Sequence, residues 1–256
     1  MSDLCMKGQG TVNTAGNIMA DNNDNLRPRR ELVEVLRRID KSLNFEDAHL
    51  ELLSNELTDS LILFLKEHFW PDEPLWKSLG LQIDEIVTER FASRLKDNLS
   101  ILLVSNTSGE IIGCSTMFLE TLNEAADDTG IQQIKNEKLK KVRTFLGHKW
   151  KESDVFQHFG VTRAMHFLAL ATHKNYRGRG IASKLMQASL EFFRELGFTP
   201  VCIVGECTSN ISQKIYEKFD FENLYRVRYD EYKVNDELVF TNTGDSKTAK
   251  FYVKQL

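Results

Sequence analysis

The sequence predicts an α/β fold with a mixed sheet, and three observations carry that prediction. Helical and strand-like patterns alternate along the chain without segregating into blocks. An apolar run from Met165 to Thr172 leads through the turn Arg177-Gly178-Arg179-Gly180 into a helical pattern beginning at Ile181. The runs Leu99 to Val104 and Ile111 to Leu119, joined through Asn106 to Gly109, read as a hairpin.

Residues 1–28 are polar, rich in Asn, Gly, Asp and Thr, and without apolar period; they read as a disordered tail. Leu32, Val35, Leu36 and Ile39 recur at i, i+3, i+4 and i+7, the spacing of a short amphipathic helix. Arg27, Arg29 and Arg30 beside it read as a solvated face. Ala48 to Leu53 is the first strand. Glu56 to Phe69 follows as a helix, with Ser54 or Asn55 as N-cap and with Pro71 and Pro74 ending it. Ile83 to Asp97 predicts a second helix. After the hairpin, Thr121 to Gly160 interrupts the sheet with a helical pattern and an aromatic cluster of Trp150, Phe156 and Phe159. Met165 to Thr172 is then a buried central strand. The helix Ile181 to Leu196 turns Ile181, Leu185, Ala188 and Phe192 to the sheet and is capped by Gly197. Pro200 to Glu206 predicts a strand, Ser209 to Phe219 a helix, and Glu222 to Tyr232 and Thr248 to Lys254 two further strands.

Composition narrows the function. A chain of 256 residues with 41% hydrophobic content supports one sizeable core, and the prediction is a single domain over residues 29–256. The net charge of −4 speaks against wholesale binding of nucleic acid or an anionic membrane. No apolar run reaches the length of a bilayer span, and the N-terminus has no signal-peptide core. Cys5, Cys114, Cys202 and Cys207 form no CxxC pair and have no histidine at ligand spacing. A reduced, cytoplasmic monomer without a metal is expected.

The turn Arg177-Gly178-Arg179-Gly180-Ile181-Ala182 carries the chemistry. Two glycines between a strand and a helix let several peptide N–H groups converge on a ligand, and the helix adds the positive end of its dipole. That is an anion site of the phosphate or pyrophosphate kind. The turn lacks the Gly-Lys-Ser/Thr ending of a P-loop and has only two glycines of a dinucleotide fingerprint, which would also lie nearer the start of a chain. An ordinary strand-to-helix turn with solvated arginines is the bland alternative.

Arg177-x-x-Gly180-x-Ala182 resembles the acetyl-CoA pyrophosphate loop of the GNAT superfamily of N-acetyltransferases. Asn210 to Phe221 resembles the family's next helix, with Asp220 where the family usually has Gly. Phe69-Trp70-Pro71-Asp72-Glu73-Pro74-Leu75 resembles the segment that carries the catalytic glutamate in insect-type arylalkylamine N-acetyltransferases. The resemblance implies a GNAT-like sheet, mostly antiparallel and flanked by helices, splayed at its central parallel strands to admit CoA. It makes the helix near Leu32 an addition to the family core, and it implies acetyl-CoA as cosubstrate and a small primary amine as acceptor. A peptide N-acetyltransferase and a CoA-binding module without chemistry are the alternatives.

Site residues follow from what amide formation needs. Arg177, Gly178, Arg179, Gly180, Ile181 and Ala182 would anchor the cosubstrate. By resemblance, the backbone of Leu170, Ala171 and Thr172 would pair with the pantetheine arm, and one N–H would serve the thioester oxygen. An ammonium cannot attack a carbonyl, so a carboxylate must take its proton; Glu73, beside Trp70 and Trp76, is the candidate base. The alternative is a solvated loop carboxylate like Asp72. Tyr216 stands where many family members keep the acid that protonates the thiolate, with Thr208 and Ser212 as alternative hydroxyls. Packing under the sheet is the other reading of Tyr216. His166 and His173 flank the central strand; a solvent-facing loop histidine is the first reading and a proton relay the second. Phe69, Trp70, Trp76, Trp150, Phe156 and Phe159 are candidates for an apolar amine pocket. The carboxylates would equally suit a polyamine or agmatine-like amine.

Overall fold

The computed structural model describes residues 26–256 apart from 127, 128, 153, 154, 199 and 200. Most of the expected tail therefore lies outside the described residues. In chain order the elements are α1 (Arg29–Leu43), β1 (Ala48–Leu52), α2 (Thr58–His68), α3 (Pro74–Leu79) and α4 (Glu85–Arg94). The hairpin strands β2 (Ile101–Ser105) and β3 (Ile111–Thr121) follow. The interrupting segment holds α5 (Leu122–Ala126), α6 (Thr129–Gln132), α7 (Glu137–Glu152) and α8 (Val155–Phe159). Next come β4 (Arg163–Thr172), α9 (Ile181–Phe193), β5 (Cys202–Cys207), α10 (Asn210–Lys218) and β6 (Glu222–Arg228). A small hairpin of β7 (Lys233–Val234) and β8 (Glu237–Leu238) precedes the last strand, β9 (Thr248–Gln255).

The main sheet has seven strands in the order β1-β2-β3-β4-β5-β9-β6. Every neighbouring pair is antiparallel except β4 with β5. The predicted mixed sheet, mostly antiparallel and flanked by helices, is the observed one. One face is covered by α1, α9 and α10, where Leu36, Leu185, Phe192, Phe193 and Tyr216 are buried together. The other is covered by α2 and α4, with Leu61, Leu65 and Trp70 packed on Leu102, Ala169 and Ala171.

Several local differences have plain physical causes. Pro74 does not merely end α2. It opens α3, because a proline at the first helical position lacks only an N–H that would be unpaired anyway. Ser54 precedes a short 3₁₀ turn, Asn55–Leu57, and makes no side-chain cap bond. The strand expected to reach Tyr232 stops at Arg228, and the β7–β8 hairpin was not foreseen. Its Asn235 and Asp236 adopt φ of 51° and 64°, the left-handed pair that a tight hairpin requires. The four apolar residues of α1 are buried against α9 and β1, as their spacing predicts. Arg29 is exposed, as expected, and its guanidinium also donates to the carbonyls of Leu52 and Leu53 and ties α1 to the end of β1.

Asp220 settles the end of α10. Its φ is 56°, the N–H of Asp220 donates to the Glu217 carbonyl at 3.2 Å, and that of Phe221 to the Tyr216 carbonyl at 3.2 Å. These are the two bonds of a Schellman motif, with aspartate in the left-handed position usually given to glycine.

Candidate active site

The site begins with one extra residue in β4. Against β3, Ala169 pairs with Thr116 and Phe167 with Met117, which leaves Leu168 as a bulge. Before it, Met165 and Phe167 pack towards α9; after it, Ala169 and Ala171 pack towards α2. The alternation of the strand changes sides at Leu168. The same place marks the end of the parallel pairing, whose register runs Met165↔Ile203, His166↔Val204, Phe167↔Gly205 and no further. Leu170, Ala171 and Thr172 pair with β3 on one side only. Among the described residues no strand pairs with their other edge, where only the Thr172 carbonyl is taken, by Arg177, so an added extended chain could lie along it.

At the end of that edge lies the glycine turn. Gly178 and Gly180 both have φ of 77°, and no atom lies within 4 Å of where a side-chain Cβ would stand on either. Gly180 is the N-cap of α9 and makes no side-chain cap, so the first N–H groups of Ile181 and Ala182 point out of the helix uncovered. Open backbone on one side and free donors on the other fit a pyrophosphate. Arg177 turns elsewhere. Its guanidinium donates to the Thr172 carbonyl, to Asp72 Oδ2 at 2.8 Å and to the His68 carbonyl at 2.6 Å. Arg179 donates to the Asn175 carbonyl and lies over the Tyr176 ring.

Glu73 caps α3, with Oε2 accepting from the Trp76 N–H at 2.8 Å. It also accepts from the Thr208 side chain. The residue is 7% exposed, so it is not a solvated loop carboxylate, unlike Asp72 next to it. Burial raises its pKa to about 6 against the opposing hydrogen bonds from Thr208, Trp76 and Leu75.

Tyr216 is buried on the opposite face of the sheet among Phe167, Phe221 and Tyr252. Its hydroxyl lies against Gly205, where any Cβ would collide with it, at the point where β4 and β5 part. Burial pushes the phenol well above its usual pKa, so it is held protonated. Ser212 is occupied locally: its hydroxyl donates to the Ser209 carbonyl at 2.9 Å and its N–H to the Ser209 hydroxyl, within the cap of α10. Thr208 instead faces Glu73, while its carbonyl accepts from the Tyr229 hydroxyl at 2.7 Å.

Glu73 and Thr208 open on a cavity of about 380 Å³ on the α2–α4 face of the sheet. Phe69, Trp70 and Trp76 line it as expected, joined by Phe91 and Phe118. Phe156 belongs instead to a core cluster with Val161 and Val204, and Phe159 packs on it. The side chain of Trp150 lies outside the described residues. His173 caps a short turn, accepting from the Asn175 N–H, and stacks on His68.

Sequence reasoning missed the charged half of the cavity. His166 is not solvent-facing: Nδ1 meets Glu120 Oε2 at 2.8 Å and Nε2 meets Glu206 Oε2 at 2.8 Å. Burial opposes its charge, yet Glu206 and Glu120 together raise its pKa to about 10 and hold it as imidazolium. Burial would raise the Glu120 carboxyl, but His166 and Arg94 keep it below its usual range. Only strand alternation with Phe118 and Glu120 could have hinted at this cluster, because its members are 40 and 46 residues apart. Among the described residues no group of three or more His, Cys, Asp and Glu is arranged to hold a metal, and no helix is long and apolar enough to cross a membrane.

Comparison with known proteins agrees with this geometry. The family model described as Acetyltransferase (GNAT) family matches residues 61–221. The chain superposes on arylalkylamine N-acetyltransferase 2 of Aedes aegypti with a TM-score of 0.76 at 26% identity, covering 82% of this chain and 99% of that one. It superposes on a polyamine N-acetyltransferase of Drosophila melanogaster with a TM-score of 0.74 at 19% identity, covering 82% of this chain and 100% of that one, a likeness of fold. A curated relative, N-alpha-acetyltransferase 30 of Schizosaccharomyces pombe, is 35% identical over 85 residues, which are 32% of this chain. The chain spans about half the length of that relative, 55%.

Proposed function

The chain belongs to the acetyltransferase (GNAT) family, acyltransferases that use acetyl-CoA, and from that premise we propose that it acetylates a small primary amine by direct attack, with Glu73 as general base. The carrying observation is a buried carboxylate of pKa about 6 on the wall of a cavity that reaches the parting strands. Acetyl-CoA supplies an acetyl thioester. The glycine turn and the first N–H groups of α9 hold its pyrophosphate, and the open edge from Leu170 to Thr172 aligns its arm. Glu73 takes a proton from the bound ammonium. The freed lone pair forms the C–N bond to the acetyl carbon as the C–S bond breaks, and Tyr216 gives its hydroxyl proton to the leaving sulfur. The second proton, shed by the acylated nitrogen, restores the phenol by way of solvent. Tyr216 suits that step better than Ser212, whose hydroxyl is committed to a helix cap.

The aromatic wall of Phe69, Trp70, Trp76, Phe91 and Phe118 supports an arylalkylamine-type acceptor. The likeness to the Aedes enzyme points the same way. A peptide acceptor is the second reading, and the local identity with N-alpha-acetyltransferase 30 favours it. The cavity is a poor peptide groove, because the segment containing α6 and α7 lies over it: Gly130, Ile131, Leu139 and Leu146 form part of its wall. Thiol release from acetyl-CoA, measured with arylalkylamines, polyamines and peptides, decides. Turnover of peptides alone would refute the small-amine reading.

A further inference from the structure

Among the described residues, the charged groups of the cavity wall are not paired one to one, and the group left over is a cation. Glu120 and Glu206 both clasp His166. Arg94 adds a second cation to Glu120 at 3.8 Å and covers the Phe118 ring. Arg90 donates to the Gly130 carbonyl. Glu124, at the rim, is matched by Lys96 at 3.6 Å. Arg143 projects from α7 into the same wall, half-buried, and makes no hydrogen bond or ion pair among the described residues. Among the described residues three arginines and an imidazolium line the wall against Glu73, Glu120, Glu124 and Glu206, but Glu124 is already matched from outside by Lys96 and Glu73 is needed for proton transfer.

A guanidinium taken out of water without a carboxylate of its own is unfavourable unless something else supplies the anion. Burial lowers the pKa of Arg143, Arg94 lowers it further, and Glu206 and Glu120 compensate only in part. The indole N–H of Trp76, on the same wall, is also buried without an acceptor. Both orphans are donors. A second ammonium on the acceptor would meet like charge here; a carboxylate would meet a planar fork built to receive it.

We propose that Arg143 is the specificity residue of the acceptor site and that it binds a carboxylate carried by the amine, so that the acceptor is an amino acid rather than a simple amine or a polyamine. This deepens the proposed amine transfer and rests on it. The aromatic wall and the arginine then have separate tasks, the one holding an apolar side chain and the other the acid group. No additional chemistry is involved, because the carboxylate is bound and not altered.

Matched pairs test the proposal with the full-length wild-type enzyme: tyrosine against tyramine, and 4-aminobutyrate against butylamine, each scored as kcat/KM by thiol release. The carboxylated member of at least one pair should be preferred by about tenfold to hundredfold, the range of a charge-assisted hydrogen bond. In Arg143→Met that preference should collapse towards parity through the KM of the amine, while the KM of acetyl-CoA stays in place. Arg143→Lys should retain part of it. Equal or better turnover of both partners that lack the carboxylate by the wild type overturns the proposal without any variant, as does an Arg143→Met enzyme that keeps the preference. If tyramine or butylamine is turned over, the underlying amine reaction survives that failure. If no amine reacts while peptides do, both readings fall.

Discussion

At the scale of single residues, Glu73 carries two linked expectations. Glu73→Gln keeps the size and the acceptor oxygen for the Trp76 N–H but cannot take the ammonium proton. Its kcat should fall by about 10²–10⁴-fold, with the deficit shrinking at high pH where free amine is abundant. Near-normal kcat at neutral pH would remove Glu73 from the chemistry. In the wild type, kcat/KM should rise with pH through a group near pH 6, the value to which burial lifts this carboxyl. Tyr216→Phe keeps the ring packing against Phe167 and Tyr252 and removes only the proton. A fall in kcat of about 10²-fold with an unchanged melting temperature is expected; an unaltered kcat would leave Tyr216 a packing residue. Glu73 stood out in the sequence through the resemblance of its segment to the glutamate-bearing segment of insect-type arylalkylamine N-acetyltransferases; its neighbours alone left a solvated loop carboxylate open. Arg143 and His166 carried no such signal, because only the folded sheet brings Glu120 and Glu206 onto His166 and leaves Arg143 without an ion pair among the described residues.

At the scale of elements, the glycine turn and the end of α10 both rest on left-handed backbone. Gly180→Ala should strain the turn by about 1 kcal/mol and raise the KM of acetyl-CoA strongly, with the global fold intact. An unchanged KM would mean the pyrophosphate binds elsewhere. At Asp220, substitution by alanine should lower stability by about 1 kcal/mol in denaturant titrations while substitution by glycine should not, since only the former resists φ of 56°. Equal losses would show that the aspartate side chain, not the backbone, matters there. Long periodic elements such as α1, α2 and α9 were readable because a single buried face set their pattern, and β4 through its apolar run. The elements α3, β7 and β8 were not. They span 6, 2 and 2 residues, too short for any period, and depend on turn geometry and on contacts with α7 and β6. The bulge at Leu168 was equally hidden, since an all-apolar strand gives no sign of which side each residue takes.

At the scale of the whole molecule, the burial that raises the Glu73 carboxyl, and so suits it to the proposed role of base, also sets stability against activity. Its carboxyl titrates near 4.5 in the unfolded chain and near 6 in the fold, so folding disfavours the ionised form. Below about pH 4 it is protonated in both states and has no influence; above about pH 6 it is ionised in both, and the fold bears a penalty of roughly 2 kcal/mol. Between those limits the stability of the wild type relative to Glu73→Gln should fall as pH rises, just as activity appears. Parallel denaturation curves for the two proteins across that range would exclude it. Arg177 has the widest consequence. One guanidinium fastens the end of β4, the end of α2 and the loop before Glu73, through Thr172, His68 and Asp72. Exposed ion pairs add under about 1 kcal/mol, so losing this one should scarcely move a melting curve. It should be felt as a change of kinetic order. In the wild type, filling the turn steadies the base and each substrate sharpens the other's Michaelis constant; in Arg177→Met, initial-rate lines for the two substrates should show them binding independently.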